Sequence, residues 1–184
     1  MHGLFRNIKL LFWMRAFLNF KILNIVISIF YIHRGLTLSQ IFYLGLFWAG
    51  AGLLFEIPSS YLADRWGRKK TLLLGLAFMT AHWILLMGAQ GFAQVAFAVV
   101  LYGIAYACFS GTDEALAYDS QRESGQESRS LSMFGKYQSA QYVFKIASVV
   151  IGAFIARDLT GGQFMTLVSL DVVATMVAFI LGLF

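Results

Sequence analysis

The chain has 184 residues, of which 59% are hydrophobic and only 12% are charged. A soluble domain averages about 25% charged residues, so this composition excludes an ordinary soluble protein and predicts an integral membrane protein. The net charge of +5 does not indicate nucleic-acid binding, because no basic patch interleaved with aromatic residues lies outside the apolar stretches.

Six apolar stretches follow one another along the chain, each close to the roughly 20 residues that a membrane-spanning helix needs. The longest polar segment, 119–132, divides them into two groups of three, as in transporters built from inverted repeats. The sequence therefore predicts one all-α membrane domain of six transmembrane helices, arranged as two three-helix repeats. Helices one to four lie in 1–118, a polar cytoplasmic loop in 119–132, and helices five and six in 133–184. The predicted spans are 10–31, 40–62, 71–89, 94–118, 133–156 and 164–184.

Lysine and arginine fall unequally on the two sides of these spans. Two lie in the loops of one side, Arg34 and Arg157. Because cytoplasmic loops carry the excess of basic residues, the richer side is predicted to be cytoplasmic, and both termini with it. The richer side holds nine: Arg6, Lys9, Arg65, Arg68, Lys69, Lys70, Arg122, Arg129 and Lys136.

Ionisable residues inside the predicted spans are the first candidates for a functional site. Each costs about 2.5–3.5 kcal/mol at the centre of a bilayer and needs a partner or a water-filled cavity. Asp113 and Glu114 are adjacent acids that are hard to satisfy by packing alone, so together with Glu56 they are candidates for coupling to a proton or another cation. Structural ion pairs remain the alternative. The full set is Arg15, Lys21, Glu56, Asp113, Glu114, Lys145 and Asp171.

Polar residues recur at helical spacing on three of the spans, which indicates a shared inner cavity. The fifth span carries a stripe that includes Gln141 and Lys145. Two lysines near mid-membrane favour a polar or anionic substrate. The predicted substrate-binding residues are Arg15, Lys21, Asn24, Tyr106, Gln141, Lys145 and Asp171. On the second span, the small residues Gly45, Ala49 and Gly52 predict close helix packing.

The segment "SYLADRWGRKK", 60–70, joins the second and third predicted spans. It resembles the signature between the second and third helices of major facilitator superfamily transporters, and "EIPSS" and "GTDEALAYDS" resemble a subset of them. The resemblance implies a cytoplasmic gating network that closes against the other half of the transporter. Its members here are Asp64, Arg65, Gly67, Arg68 and Asp119. Positive-inside anchoring accounts for Arg65 and the two lysines, but not for Asp64 or Gly67.

The same resemblance implies a second six-helix half, because members of this family have two. Two sources of that half stay open: a longer protein of which this chain is the N-terminal part, or a homodimer.

The function expected from these observations is ion-coupled secondary transport of a small polar or anionic solute by alternating access. A non-transporting assembly or regulatory module in the membrane is the alternative. No nucleophile set, phosphate-binding loop or metal-ligand spacing is evident in the sequence. We therefore expect neither an enzyme nor a bound metal or cofactor.

Overall fold

The computed structural model describes residue 10, residues 12–110 and residues 130–184, with the backbone alone described for 130–140. Every regular element in these ranges is helical. Helix α1 covers 12–18, and a 3₁₀ turn follows at Leu23–Ile25. The remaining helices are α2 (Ile27–His33), α3 (Leu38–Trp66), α4 (Arg68–Gly88), α5 (Gly91–Phe109), α6 (Ser130–Ile155) and α7 (Gly161–Leu183).

Four of these helices are long and apolar enough to cross a membrane, namely α3, α4, α5 and α7. A fifth candidate is the bent pair formed by Phe12–Ile25 and α2. The predicted all-helical membrane fold is thus confirmed with four or five spans in the described part of the chain. The fifth predicted span, 133–156, corresponds to α6, whose apolar segment Gln141–Ile155 is shorter, so six spans and the two-repeat arrangement stay predictions.

The first predicted span is not one continuous helix, contrary to expectation. Its two parts meet at an angle of 54°. The backbone leaves the helix after Leu18, where the Asn19 side chain turns back and donates to the Arg15 carbonyl at 2.8 Å. The Asn19 backbone N–H donates to the same carbonyl at 3.0 Å, so the helix ends with both Asn19 donors on Arg15. Apolar periodicity does not report such a polar helix end.

Two turns at the same end of the helices share a local sequence, R-x-L-T-x-x-Q, at 34–40 and 157–163. In each, the threonine caps the following helix and the glutamine side chain accepts from the threonine backbone, which forms a capping box. Thr37 begins α3 in this way and Thr160 begins α7. We call this end of the bundle the Thr37 end. Arg34 also lies there, and it donates to the Met87 carbonyl near the last turn of α4 at 2.9 Å.

The opposite end, here the Gly67 end, carries the sharp connection between α3 and α4. Gly67 has φ +94° and ψ 145°, a conformation that is nearly restricted to glycine. Lys69 donates from Nζ to the Leu183 carbonyl at 3.2 Å, which places the last turn of α7 at this end.

The core lies along α4, which packs on α3, α5 and α7. The buried side chains of α4 include Leu76, Met79 and Trp83. Helix α3 instead exposes most of its apolar surface, and Ile57 is 81% exposed. Phe154 of α6 is equally exposed. These two helices therefore carry the largest unpacked faces of the described chain.

Helices α3 and α5 meet almost backbone to backbone at Gly103. A Cβ atom built on Gly103 would lie 2.5 Å from the Trp48 carbonyl oxygen and 2.8 Å from the Ala51 Cβ. The predicted small-residue ridge is thus only partly used: Gly52 lies in this contact, whereas Gly45 and Ala49 remain exposed. Small residues permit such close packing of membrane helices.

Candidate functional site

A buried acid on α7, Asp171, stabilises the break in the first span. Asp171 is 1% exposed, and its carboxylate accepts from the backbone N–H groups of Ile22 at 2.7 Å and Leu23 at 3.0 Å. These two N–H groups lack helical partners because the helix is interrupted here. On the other side of the break, a Cβ on Gly152 would lie 2.7 Å from the Ile22 carbonyl oxygen, so α6 packs tightly against it. Asp171 was predicted to bind substrate; in the structure its contacts stabilise the break.

Lys21 immediately precedes this junction and is directed onto α5. Its Nζ donates to the Tyr102 hydroxyl at 2.8 Å and lies 4.8 Å from the centre of that ring. Tyr102 also contacts His82, whose ring stacks on it with the ring centres 4.9 Å apart and an interplanar angle of 19°. His82 in turn bonds through Nδ1 to the Ala98 carbonyl at 2.7 Å, which fixes the ring because the carbonyl can only accept. Lys21, Tyr102 and His82 form a connected row across three elements.

A cavity of about 320 Å³ opens beside this row, between the α2 segment, α3, α4 and α5. Such a volume lies at the small end of the range for ligand pockets, which is about 300–1,000 Å³. Asn24 and Ser28 provide polar groups in its lining, and aliphatic residues and a glycine form another part of it. Five rings form much of its wall: Tyr31, Trp48, His82, Trp83 and Tyr102.

Two of these rings carry buried donors that have no acceptor. The indole N–H groups of Trp48 and Trp83 are buried and make no hydrogen bond within the described chain. Leaving a buried donor unsatisfied costs about 1–3 kcal/mol. Trp48 is placed by the tight contact at Gly103, which brings it within 6.2 Å of the Tyr102 ring and 5.5 Å of the Tyr106 ring. The helix packing thus builds the wall of the cavity.

The other predicted substrate-binding residues are divided between this cavity and its surroundings. Asn24 lines the cavity, and Tyr106 is exposed beside Trp48. Arg15 is half-buried on α1, and Gln141 is buried on α6. Lys145 is exposed, with its Nζ 5.7 Å from the Tyr142 ring. The structure therefore brings Lys21 and Asn24 to one site and leaves Lys145 outside it.

The predicted coupling and gating residues are described only in part. Glu56 lies exposed on α3, and its backbone carbonyl accepts from the hydroxyls of Ser59 and Ser60. Asp113, Glu114 and Asp119 lie outside the described residues.

At the Gly67 end, Asp64 is exposed and Arg68 is half-buried. Arg65 donates to the Tyr61 hydroxyl at 2.6 Å. The conformation of Gly67 explains why this turn requires glycine.

The aromatic wall was missed by sequence reasoning. The apolar stretches of the sequence contain Trp48, His82 and Trp83. The sequence pattern around an aromatic residue in such a stretch is the same whether its ring faces lipid, core or cavity. The sequence feature that could have indicated an aromatic wall is Tyr102, which shares a helical face with Tyr106.

Comparisons with known proteins place the whole helical arrangement in one family. Curated protein sequences give no significant match to the chain. A family model described as Major Facilitator Superfamily matches residues 14–184, which includes every element described above except the first residues of α1. Its members are multi-pass membrane transporters. The match covers far more than half of the sequence, and the chain therefore belongs to the Major Facilitator Superfamily.

Proposed function

We propose that the chain forms one half of a secondary active transporter that moves a small polar or anionic solute by alternating access. The observation that carries the proposal is the cavity beside Lys21. Asn24 and Ser28 line it together with aromatic rings, and the Lys21 ammonium lies beside it on the Tyr102 hydroxyl, inside a helical bundle whose family transports solutes. A static scaffold has no need of a polar cavity beside a lysine within the membrane, because a charged side chain there is costly.

The substrate path in this proposal begins at Lys21 and Asn24. Tyr106 and Gln141 extend it towards the exposed surface of the half, where Lys145 attracts the anionic group of the solute, and the half-buried Arg15 adds positive charge on α1. Asp171 acts indirectly, since its carboxylate fixes the backbone beside Lys21. The broken first span supports this assignment, because interrupted helices commonly surround the binding sites of transporters.

A second six-helix half completes the transporter in this proposal, either from a longer chain or from a second copy. The exposed apolar faces of α3 and α6 support it, with Leu53 77% exposed and Phe154 81% exposed. Such contiguous apolar surface is compatible with lipid as well as protein. Placing the exposed Glu56 carboxylate of α3 against lipid alone would cost free energy. Its exposure therefore favours a neighbouring protein surface or a water-filled space on this side of α3.

The Gly67 end is proposed to face the cytoplasm and to carry the gate. Within the described residues four basic side chains cluster there, whereas Arg34 and Arg157 lie at the Thr37 end. Asp64 and Arg68, together with Asp119, would close this side against the second half. Gly67 supplies the tight turn that presents them.

Coupling is proposed to run through the acids Asp113 and Glu114, with Glu56 as a third candidate. The test uses proteoliposomes with an entrapped pH indicator, to which a panel of small organic acids, amino acids and phosphate esters is added. We expect at least one solute to drive proton flux, and Asp113→Asn or Glu114→Gln to abolish that flux while solute exchange persists. Asp158→Asn, in an exposed turn, is the matched control. Unchanged proton flux in both variants would remove the coupling role, and absence of solute flux would favour an assembly or regulatory module.

A further inference from the structure

A second cavity, of about 290 Å³, lies at the Thr37 end between the end of α2, the turn from α4 to α5 and the start of α7. It shares no lining residue with the cavity beside Tyr102. Its polar lining comes from His33 and Arg34 at the end of α2 and from Gln90 in the turn. None of these three side chains belongs to the proposed transport path.

Arg34 is fixed in its position at this cavity. Its Nη2 atom donates to the Met87 carbonyl at 2.9 Å, and its Cζ atom lies 5.1 Å from the centre of the Phe30 ring. These contacts orient the guanidinium plane but use only one of its five N–H donors. No acid of the described chain forms an ion pair with it. A planar group with donors to spare suits the bidentate recognition of phosphate or carboxylate.

His33 adds a second polar ring to the same wall. A Cβ atom on Gly161 would lie 3.4 Å from its Cε1 atom, and its ring centre is 5.2 Å from that of Phe164. The ring therefore lies against the first turn of α7, the end of the helix that carries partial positive charge. Among the described residues no acid lines the cavity, and Asp158 in the turn before α7 accepts from the Gln163 side chain. These surroundings favour an anion over a cation.

The repeated turn sequence R-x-L-T-x-x-Q provides an internal comparison. Capping of the next helix accounts for the threonine and the glutamine in both turns. It does not account for the arginine, because Arg34 is half-buried at the cavity whereas Arg157 is exposed. A positive charge at the end of α4 explains the bond from Arg34 to Met87. It does not explain why His33 and a cavity lie beside the same guanidinium.

The position of the cavity indicates where its ligand comes from. Helices α2 and α4 end there and α7 begins there, and the ends of membrane helices lie at the depth of the lipid headgroups. Basic pockets between membrane helices are known to bind phosphorylated headgroups. On α2, Ile29 lies one turn before His33 and is 42% exposed, so apolar surface continues beside the polar residues. A headgroup fits the cavity volume, and acyl chains would lie on that surface.

We infer that this cavity binds a phosphate group, with Arg34 and His33 donating to its oxygens and Gln90 at its edge. The phosphate belongs to a phospholipid headgroup or to a soluble phosphate ester, two sources with the same chemistry at the site. The inference does not depend on transport, because the site is separate from the proposed substrate path.

Binding is measured by native mass spectrometry of the purified chain in detergent, with phosphatidylglycerol as the probe. Diacylglycerol with the same acyl chains lacks the phosphate and is the comparator. We expect phosphatidylglycerol to bind about tenfold more tightly. Glycerol 3-phosphate, added as a competitor, separates the two sources: displacement of the lipid assigns the site to soluble phosphate esters, and retention of the lipid assigns it to the headgroup. Equal binding of the two lipids overturns the inference.

Variants locate the binding at this cavity rather than at other basic residues. Arg34→Gln should weaken the binding of phosphatidylglycerol about tenfold. His33→Gln should weaken it about threefold, and it leaves the bond to Met87 in place, so it decides the matter if Arg34→Gln does not fold. Arg157→Gln, in the equivalent turn, is the matched control and should change nothing. Equal affinities of the folded cavity variants and the control would overturn the inference.

Discussion

Asp171 shows how one buried side chain determines the course of another helix. Its two carboxylate oxygens accept from consecutive N–H groups, those of Ile22 and Leu23, where the first span is interrupted. An acid inside a membrane helix is expensive unless its oxygens have donors, and the broken backbone supplies them. The sequence identifies Asp171 as an unusual acid in an apolar stretch. It does not reveal that the carboxylate binds backbone N–H groups, because those groups do not depend on which side chains the residues carry.

Replacing Asp171 by asparagine should destabilise the bundle. The amide keeps one acceptor oxygen but presents an NH₂ group to the second backbone donor, which leaves Ile22 or Leu23 unsatisfied. We expect the free energy of unfolding to fall by about 1–3 kcal/mol, measured by titration from mild detergent into SDS. Asp158→Asn, which alters an exposed acid, should change it by less than about 0.5 kcal/mol. Equal stability of Asp171→Asn and the unmodified chain would contradict the role given to this carboxylate.

Helix packing determines where the cavity lies. The backbone contact at Gly103 brings α3 close to α5, and Trp48 consequently meets Tyr102 and Tyr106. Helix α4 adds His82 and Trp83 from its buried face. The candidate site is therefore a product of three helices and the α2 segment, and no single helix contains it.

Gly103→Ala tests that packing. The added methyl would overlap the Trp48 carbonyl and Ala51, so the helices have to separate, and overpacking of this kind costs about 1–3 kcal/mol. Gly50→Ala on α3 is the matched control, because nothing lies within 4 Å of its Cβ position. The free energy of unfolding should fall in the first variant and stay level or rise in the second. An equal response in both variants would show that the contact is not tight.

Much of the helical layout was predictable from the sequence because lipid imposes long apolar stretches. The boundaries of α4 and α7 agree with the predicted spans to within a few residues. The break near Asn19 was not predictable from hydropathy, since it depends on a hydrogen-bonding partner on α7, about 150 residues away. Lys21 and Asn24 were predicted for the site, whereas Trp48 and Trp83 were not. Apolar patterning does not distinguish rings that face lipid from rings that face a cavity.

At the scale of the whole molecule, the distribution of apolar surface and charge is compatible with the proposal that the chain is one transporter half that pairs with a second half. Helix α3 and the described part of α6 expose large side chains, and the cavity lies nearer the Thr37 end than the Gly67 end. In a transporter, access to such a cavity changes from one side of the membrane to the other while the helices of each half stay largely intact. In a static module, access is restricted to one side.

Accessibility of Asn24 distinguishes these two cases most directly. The variant Asn24→Cys, in a chain whose single native cysteine is replaced by Cys108→Ser, is labelled with a membrane-impermeant thiol reagent in right-side-out and inside-out vesicles. Asn24 lines the cavity and is exposed, so the reagent can reach it once the cavity opens. Alternating access predicts labelling from both sides of the membrane. Labelling from one side alone, under every solute condition, would contradict it.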